Sequence, residues 1–431
     1  MGSEERNGCG YYVGLDWGNG EHRVCVEDGE GKVLRERGFP AVPEGVYELC
    51  GWLEKVCGVK ASSICVGIET PHGPVVETLL EAGFAVYSIN PRQADRFRDR
   101  FSMSGAKDDR RDAKVLADSL RTDMSCYVKL EPDNEAVIKI RELSRLVSEL
   151  TRERTRYSNR LRSHLSRYYP QALGLTSDVS ASWFLELLKI APTPMAGKHV
   201  RKHRVAKILR EYHVRKLDSA QVKKILRRPG YNLVAGTVEA CKLHVNLIVQ
   251  QLELVNSQLK ATTKELDNAL KVLPNLRERS EEDDDDVDSK EQRSDVEILF
   301  SLPGIGHLVL ATLLGEASKL LASKKGYQIL RSLSGISPVT RSSGKKRVVA
   351  MRRACNHRLR FAVYHWAFIA VQTDAYSKAH YADLRKKGHN HARALRGVAD
   401  RLLRVAYVML QNRTLYDPSK RQYPKKQKEA A

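Results

Sequence analysis

No Cys-x-x-Cys pair occurs among the eight cysteines, and none of them lies close in sequence to the one His-x-x-x-His pair, His199 and His203. That argues against a zinc site, and in a reducing compartment such thiols act as small buried apolar groups. No apolar run is long enough to cross a bilayer and no basic amphipathic anchor is present, so no membrane partner is expected. The opening residues Met1-Gly2-Ser3-Glu4-Glu5-Arg6 lack the charged-then-apolar order of a signal peptide, which points to an intracellular protein. Acidic residues are in deficit: 52 Asp and Glu face 73 Lys and Arg, for a net charge of +21. An excess of that size attracts polyanions, and spread over 431 residues it suits a long phosphate backbone bound with counterion release. The 42% hydrophobic content is ample for packed cores, and the length suggests about two to three domains.

The N-terminal region, residues 1–125, alternates strand and helix. Strands are expected at Tyr11–Asp16, His22–Asp28 and Lys32–Phe39, the last two bracketing a turn at Gly29-Glu30-Gly31. Apolar residues at Val46, Leu49, Trp52, Leu53 and Val56 place a helix over Gly45–Val59. A strand at Ser63–Glu69, a helix at Pro71–Ala82, a strand at Ala85–Asn90 and a broken helix over Arg92–Leu120 complete the order. Three meandering strands followed by helix–strand–helix–strand–helix is the order of a ribonuclease-H-like (RuvC-like) α/β fold.

Residues 133–275 are helical. Leu143, Leu146, Leu150, Tyr157, Leu161 and Leu165 form a stripe on a helix rich in arginine, with few acids nearby to pair them. Arginine suits phosphate forks and stacking on unpaired bases, so Arg145, Arg152, Arg156 and Arg160 are candidate RNA contacts. Val238, Cys241, Val245, Ile248, Leu252, Val255, Leu259, Thr262, Leu266 and Ala269 step by three and four, a coiled-coil seam that serves equally an antiparallel pair within the chain or a dimer. Residues 277–293 include Glu281-Glu282-Asp283-Asp284-Asp285-Asp286, a self-repelling run expected as a disordered linker. Residues 294–418 are expected as a compact, mainly helical domain, and 419–431 as a basic tail without fixed structure.

Four acids carry the chemistry. Asp16 and Glu69 close two strands that lie side by side in such a fold, and Asp109 and Asp112, three apart in Lys107-Asp108-Asp109-Arg110-Arg111-Asp112, share a helix face. Converging carboxylates are unfavourable without a cation; carboxylate and water ligation suits Mg²⁺ or Mn²⁺, in the manner of two-metal phosphodiester enzymes. Paired only with Arg110 and Arg111, the two helical acids would be structural; joined by the strand-end acids, they are not. Asp108, with no acid three residues on, is a neighbour.

Two further motifs point to phosphate. Leu302-Pro303-Gly304-Ile305-Gly306 reads as a helix–hairpin–helix turn, with Gly304 and Gly306 as DNA contacts. Arg341-Ser342-Ser343-Gly344-Lys345-Lys346-Arg347 reads by composition as a flexible phosphate-binding loop, its Arg341, Lys345, Lys346 and Arg347 facing DNA. A serine there is a weak nucleophile until a base or a cationic setting activates it.

Together these residues resemble a known family. Gly14-Leu15-Asp16, Gly67-Ile68-Glu69-Thr70-Pro71-His72-Gly73, Asn90-Pro91-Arg92-Gln93, Lys107-x-Asp109-x-x-Asp112-Ala113, Leu302-Pro303-Gly304-Ile305-Gly306, Gly335-x-x-Pro338, Ser342-Ser343-Gly344 and Asn356-His357-x-Leu359-Arg360 are similar to the DEDD-type insertion-sequence transposases, bridge-RNA-guided recombinases grouped with pilin-gene invertases. The resemblance implies a prokaryotic cytoplasmic DNA transposase with catalytic acids Asp16, Glu69, Asp109 and Asp112 and a nucleophilic serine, Ser343, with Ser342 as fallback. It further implies a serine–phosphate intermediate, target and donor DNA, a structured guide RNA, and a dimer or tetramer in which different subunits supply acids and serine. Asp108 stands where that family has Thr or Ser, and the acidic insert and residues 175–228 match no known motif.

The rival reading is a metal-dependent nuclease or junction resolvase of the same fold, using water as nucleophile. An actin-like ATPase or sugar kinase, suggested by Gly14-Leu15-Asp16-Trp17-Gly18, lacks the second phosphate loop and the adenosine motif. A non-catalytic RNA-binding protein would show no metal-dependent DNA cleavage.

Overall fold

The structure, a computed structural model, describes residues 9–71, 73–101, 109–276, 293–344 and 346–420. Lys107, Asp108, Lys345, all but Arg293 of the acidic run and the tail from 421 onward lie outside the described residues, so the linker and tail expectations concern residues on which it is silent. The chain divides into two compact units, Met1–Asn134 and Glu135–Ala431.

The first unit is built on one sheet. β1 (Tyr11–Trp17), β2 (Glu21–Asp28) and β3 (Val33–Pro40) form an antiparallel meander. After α1 (Pro43–Cys57) come β4 (Ile64–Ile68), α2 (Pro74–Glu81), β5 (Ala85–Ser88), α3 (Pro91–Phe101), α4 (Asp109–Asp123) and β6 (Val128–Lys129). The strand order is β3-β2-β1-β4-β5-β6, with β1, β4 and β5 parallel. All of β4 is buried, as a central parallel strand covered on both faces must be, whereas β3 alternates exposed and covered residues like the edge strand it is. One face packs Val13, Leu15, Val66 and Ile68 against Leu49 and Leu53 of α1 and Leu79 of α2. The other packs Tyr12, Cys65 and Tyr87 against Leu116 and Leu120 of α4. The mixed α/β expectation for this region stands; the two-residue β6 is an addition too short to leave a period in the sequence. Cys9 and Cys65 are joined in a disulfide, which corrects the expectation of free thiols: the segment leading into β1 runs beside β4 and brings the two Cα atoms to 5.9 Å.

β2 contributes a buried acid. Glu27 is 1% exposed, and neither carboxylate oxygen has a hydrogen-bond partner, with Arg121 Nε of α4 3.8 Å away. Burial pushes its pKa up to about 7; Asp118 adds to the rise, while Arg121 and Lys114 oppose it. An unfolded glutamate ionises near about 4.3. Folded Glu27 therefore holds a proton that the unfolded chain has lost, and its contribution to stability is full below pH ~4.3 and lost as pH rises through about 7. Glu27→Gln should raise unfolding stability at pH 8 by on the order of 2–3 kcal/mol. Denaturant titrations should show little gain at pH 5.

The second unit is helical. α5 (Glu135–Tyr168) is followed by five short helices, α6 (Pro170–Leu173), α7 (Ser182–Ile190), α8 (Pro194–His199), α9 (Lys202–Glu211) and α10 (Ser219–Leu226), then by α11 (Ala235–Lys271). α5 and α11 run antiparallel: Lys139 pairs with Glu265 at 3.2 Å, and the His164 and His244 rings lie 4.8 Å apart further along. Cys241, Val245, Ile248, Leu252, Val255, Leu266 and Ala269 are all buried, so most of the heptad seam is filled within one chain. Of the two readings the sequence left open, the structure takes the antiparallel pair. Residues 175–228 supply a local core, with Phe184, Leu188, Leu209 and Leu226 packed on Leu161, Leu165, Ile248 and Leu252.

The chain continues through α12 (Asp295–Phe300), α13 (His307–Ala322), α14 (Tyr327–Leu333), a two-stranded hairpin of β7 (Val339–Ser343) and β8 (Lys346–Ala350), α15 (His357–Thr373), α16 (Ala375–Lys386) and α17 (His391–Asn412). Val137, Ile140, Leu266 and Leu270 share one core with Leu299, Leu314, Trp366 and Leu402. The expected boundary between a helical middle and a C-terminal domain is therefore no break in packing, because the base of the α5–α11 pair is part of the C-terminal core. Among the described residues no helix is long and apolar enough to cross a membrane.

Candidate functional site

The acids lie at one end of the first sheet. β1 and β4 run parallel with Gly14 beside Gly67 and Leu15 beside Ile68, so Asp16 and Glu69 follow in step at the carboxyl ends of neighbouring strands. Side chains two apart in a strand share a face, which puts both acids on the face that carries Gly14 and Gly67. α4 covers that face at very short range: a Cβ on Gly14 would sit 1.8 Å from the Ala113 carbonyl oxygen, and one on Gly67 3.3 Å from that of Leu116. Following β1 from Tyr12 through Gly14 to Asp16, the neighbouring part of α4 moves from Leu116 and Leu120 to Ala113, and so towards Asp112 and Asp109. Asp16 and Glu69 are half-buried, Asp112 is buried at 5% exposure, and Asp109, the first residue of α4, is exposed.

Arg98, on α3, donates from Nε to Asp112 Oδ1 at 2.7 Å and pairs with Asp95 at 2.9 Å. Sequence reasoning missed this residue, since nothing in the spacing of 98 and 112 marks the pair. Arg110 pairs with Glu36 of β3. Among the described residues no three His, Cys, Asp or Glu side chains are gathered closely enough to hold an ion. All-carboxylate donors nonetheless fit a hard divalent cation, and the backbone places all four acids toward one end of the sheet. Arg98 occupies Oδ1 of Asp112, which leaves Oδ2 as the oxygen that would face a cation.

Gly14 sets the spacing of this end, because the atoms that a side chain would meet are backbone. Gly14→Val should lower stability by about 3 kcal/mol and displace Asp112 from the sheet. A lowered melting temperature in thermal denaturation checks this.

In the second unit, Ser342 and Ser343 end β7, in register with Arg347 and Lys346 of β8. The expected flexible loop is thus an ordered hairpin: Gly344, at φ +54°, takes the left-handed conformation that a two-residue turn requires. Arg341, Ser342, Ser343 and Arg347 are exposed. Arg341 and Ser343, two apart, share one face and Ser342 lies on the other.

The glycine turn departs from the DNA-contact expectation in one respect. Gly304, at φ +73°, packs against α15, where a Cβ would lie 2.7 Å from the Ala370 nitrogen, and Trp366 Nε1 donates to the Pro303 carbonyl at 2.9 Å. Its small size is used for packing; Gly306, exposed at the start of α13, is the one of the pair open to a partner.

The arginines of α5 also divide. Arg145 bonds Glu316 at 3.0 Å and Glu142 at 2.9 Å, while Arg152, Arg156 and Arg160 are exposed. Burial alone would raise the Glu316 pKa, but hydrogen bonds from Arg145 and Asn356 outweigh it and hold that carboxyl below its usual range. Arg145 is therefore half-buried and paired with acids of its own chain, whereas Arg152, Arg156 and Arg160 are the exposed arginines of the row. Arg141 is also turned inward, donating to the Gly315 carbonyl at 2.7 Å.

Comparison with known proteins places this geometry. A DEDD transposase model named for IS110 matches residues 13–170, and a model described as transposase, IS116/IS110/IS902 family, matches residues 296–382. The chain is 32% identical over 420 residues to the mini-circle putative transposase for IS117 of Streptomyces coelicolor, covering 94% of this chain and 95% of that one. A putative transposase of Sinorhizobium fredii, y4uE, is 46% identical over 209 residues, 48% of this chain and 58% of its own length. An uncharacterized 44.8 kDa protein of insertion element IS116 from Streptomyces clavuligerus is 27% identical over 420 residues, 95% of this chain and 96% of its own. These names speak of transposases and insertion elements, not of pilin-gene inversion or an RNA guide. The chain belongs to the IS116/IS110/IS902 family of transposases, enzymes that cleave DNA and transfer its strands.

Proposed function

We propose that this transposase cleaves and rejoins DNA through Ser343, with Asp16, Glu69, Asp109 and Asp112 preparing the phosphodiester and a structured RNA choosing target and donor DNA. Two observations carry the reading: in the first unit the acids follow neighbouring strands and open α4 toward one sheet end, and in the second unit an exposed hairpin carries Ser343 and Arg341 on one face. A divalent ion held by the four acids, Mg²⁺ or Mn²⁺, would neutralise phosphate charge and polarise the phosphorus centre. The Ser343 hydroxyl loses its proton to a base as the Oγ–P bond forms. One P–O ester bond breaks, and the departing deoxyribose oxygen gains a proton. Arg341, Lys345, Lys346 and Arg347 oppose the charge on the phosphate oxygens. Because one ester replaces another, the hydroxyl of a second DNA strand can reverse the step and complete the exchange without an added energy source.

Arg152, Arg156 and Arg160 serve as the RNA-facing row on α5, and Gly306 with the start of α13 contacts the DNA backbone. The protein acts as a dimer or tetramer in which one subunit's acids serve another's serine. Sequencing RNA that copurifies with the full-length protein tests the guide: one discrete structured species supports it, and a bulk mixture sinks it. The water-using nuclease is the rival, and it differs in leaving no protein attached to DNA.

A further inference from the structure

The second unit contains an open cleft of about 830 Å³ where the end of α11, α12 and the start of α13 meet. We propose that this cleft holds one unpaired nucleotide of the nucleic acid on which the protein acts, with its base on Phe300 and its sugar-phosphate against Lys271, Arg293 and His307.

The size lies within the range of about 300–1,000 Å³ of small-ligand sites, with room for a nucleotide and water. The lining has two characters. Leu270, Val296 and Leu310 make an apolar wall, and Phe300 presents a ring that is 46% exposed. An exposed aromatic on an apolar wall is the platform on which any unpaired base stacks, whatever its identity. Lys271 and Arg293 also line the cleft and supply positive charge for a phosphate. The two acids of the lining already have partners: Glu297 accepts from the Ser294 amide in a capping box, and Asp267 pairs with His307.

That last pair gives the cleft an oriented polar group. His307 Nδ1 lies 2.5 Å from Asp267 Oδ1, and the His307 ring is 4.9 Å from Phe300. An ionised carboxylate can only accept, so the proton of the shared bond sits on Nδ1 and Nε2 is left for a ligand. A histidine held by a carboxylate through one nitrogen has its ring orientation and tautomer fixed for the other. Neutral Nε2 accepts from a sugar hydroxyl or a base amino group, and protonated it donates to phosphate. Three elements contribute to the site: Asp267 and Lys271 come from α11, Phe300 from α12 and His307 from α13.

The inference rests on the nucleic-acid reading above only for the presence of its ligand, and one experiment separates the two. Fluorescence anisotropy on full-length protein compares short single-stranded DNA, single-stranded RNA and a duplex of the same sequence. Phe300→Ala is expected to weaken single-strand binding about tenfold while leaving the duplex unchanged, with Phe300→Trp retaining affinity. The single strand that responds more, DNA or RNA, identifies the source of the nucleotide. Equal single-strand affinity in Phe300→Ala, or equal loss on strand and duplex, overturns the inference and leaves the proposed function standing. A parent protein that binds none of the three probes overturns both.

Discussion

A Ser343→Ala protein should fold, bind RNA and bind DNA as the parent does, yet recombine DNA at least about 10⁴-fold more slowly. The size of the loss follows from what is removed. If the Oγ forms the new bond to phosphorus, no neighbouring group can replace it without a new attacking atom, and the remaining charge stabilisation and binding cannot make a recombinant joint. The fold should tolerate the change, because Ser343 is exposed at the end of β7 and contributes nothing to a core. Ser342 is the internal control. Neighbouring residues in a strand point to opposite faces, so Ser342→Ala should keep most of the activity. If the two variants exchange behaviour, the nucleophile moves by one residue; if both recombine DNA, the serine account fails.

Asp16→Ala should cost recombination about 10³-fold or more while leaving RNA binding intact. Asp16 is half-buried at the carboxyl end of β1 and shares a sheet face with Glu69, so its removal opens the acid set at its centre. If acids and serine act on one phosphate as a unit, their losses cannot add, and the Asp16→Ala, Ser343→Ala double variant should be no slower than Ser343→Ala alone. Losses that multiply would mean that the two centres perform separate reactions. Full activity in Asp16→Ala would remove the metal site from the account.

Much of the first unit was legible because its strands and helices carry simple periods. The run Val13 to Leu15 and the fully buried β4 read as central strands, and the acids that close them stand out against apolar neighbours. Gly14 and Gly67 explain how α4 comes close enough to matter, yet in the sequence they are two glycines among 28. The Arg98–Asp112 pair was invisible, since it joins two helices across a span that no spacing rule covers. The serine hairpin was missed for a different reason. Both faces of β7 are largely exposed, so no apolar alternation marks it, and its serine and glycine content reads as a loop. The heptad of α11 showed that a helix must pack against it but could not say whose, because one seam serves a partner in the same chain or in another. The fold of residues 175–228 lay beyond pattern reading, because each of its helices is too short to repeat a period. In the sequence His307 is only the residue after a glycine turn; its significance depends on Asp267, 40 residues away.

The central claim is covalent attachment of the enzyme to DNA. The direct measurement is to incubate the full-length protein with its RNA, Mg²⁺ and a nicked DNA duplex that halts strand exchange, then denature and separate the products. The expected product is a protein–DNA adduct that survives denaturation, maps by mass spectrometry to a phosphate on Ser343, and is absent in both Ser343→Ala and Asp16→Ala. Metal-dependent cleavage of the same DNA with free ends and no attached protein would contradict it and establish the water-using nuclease instead.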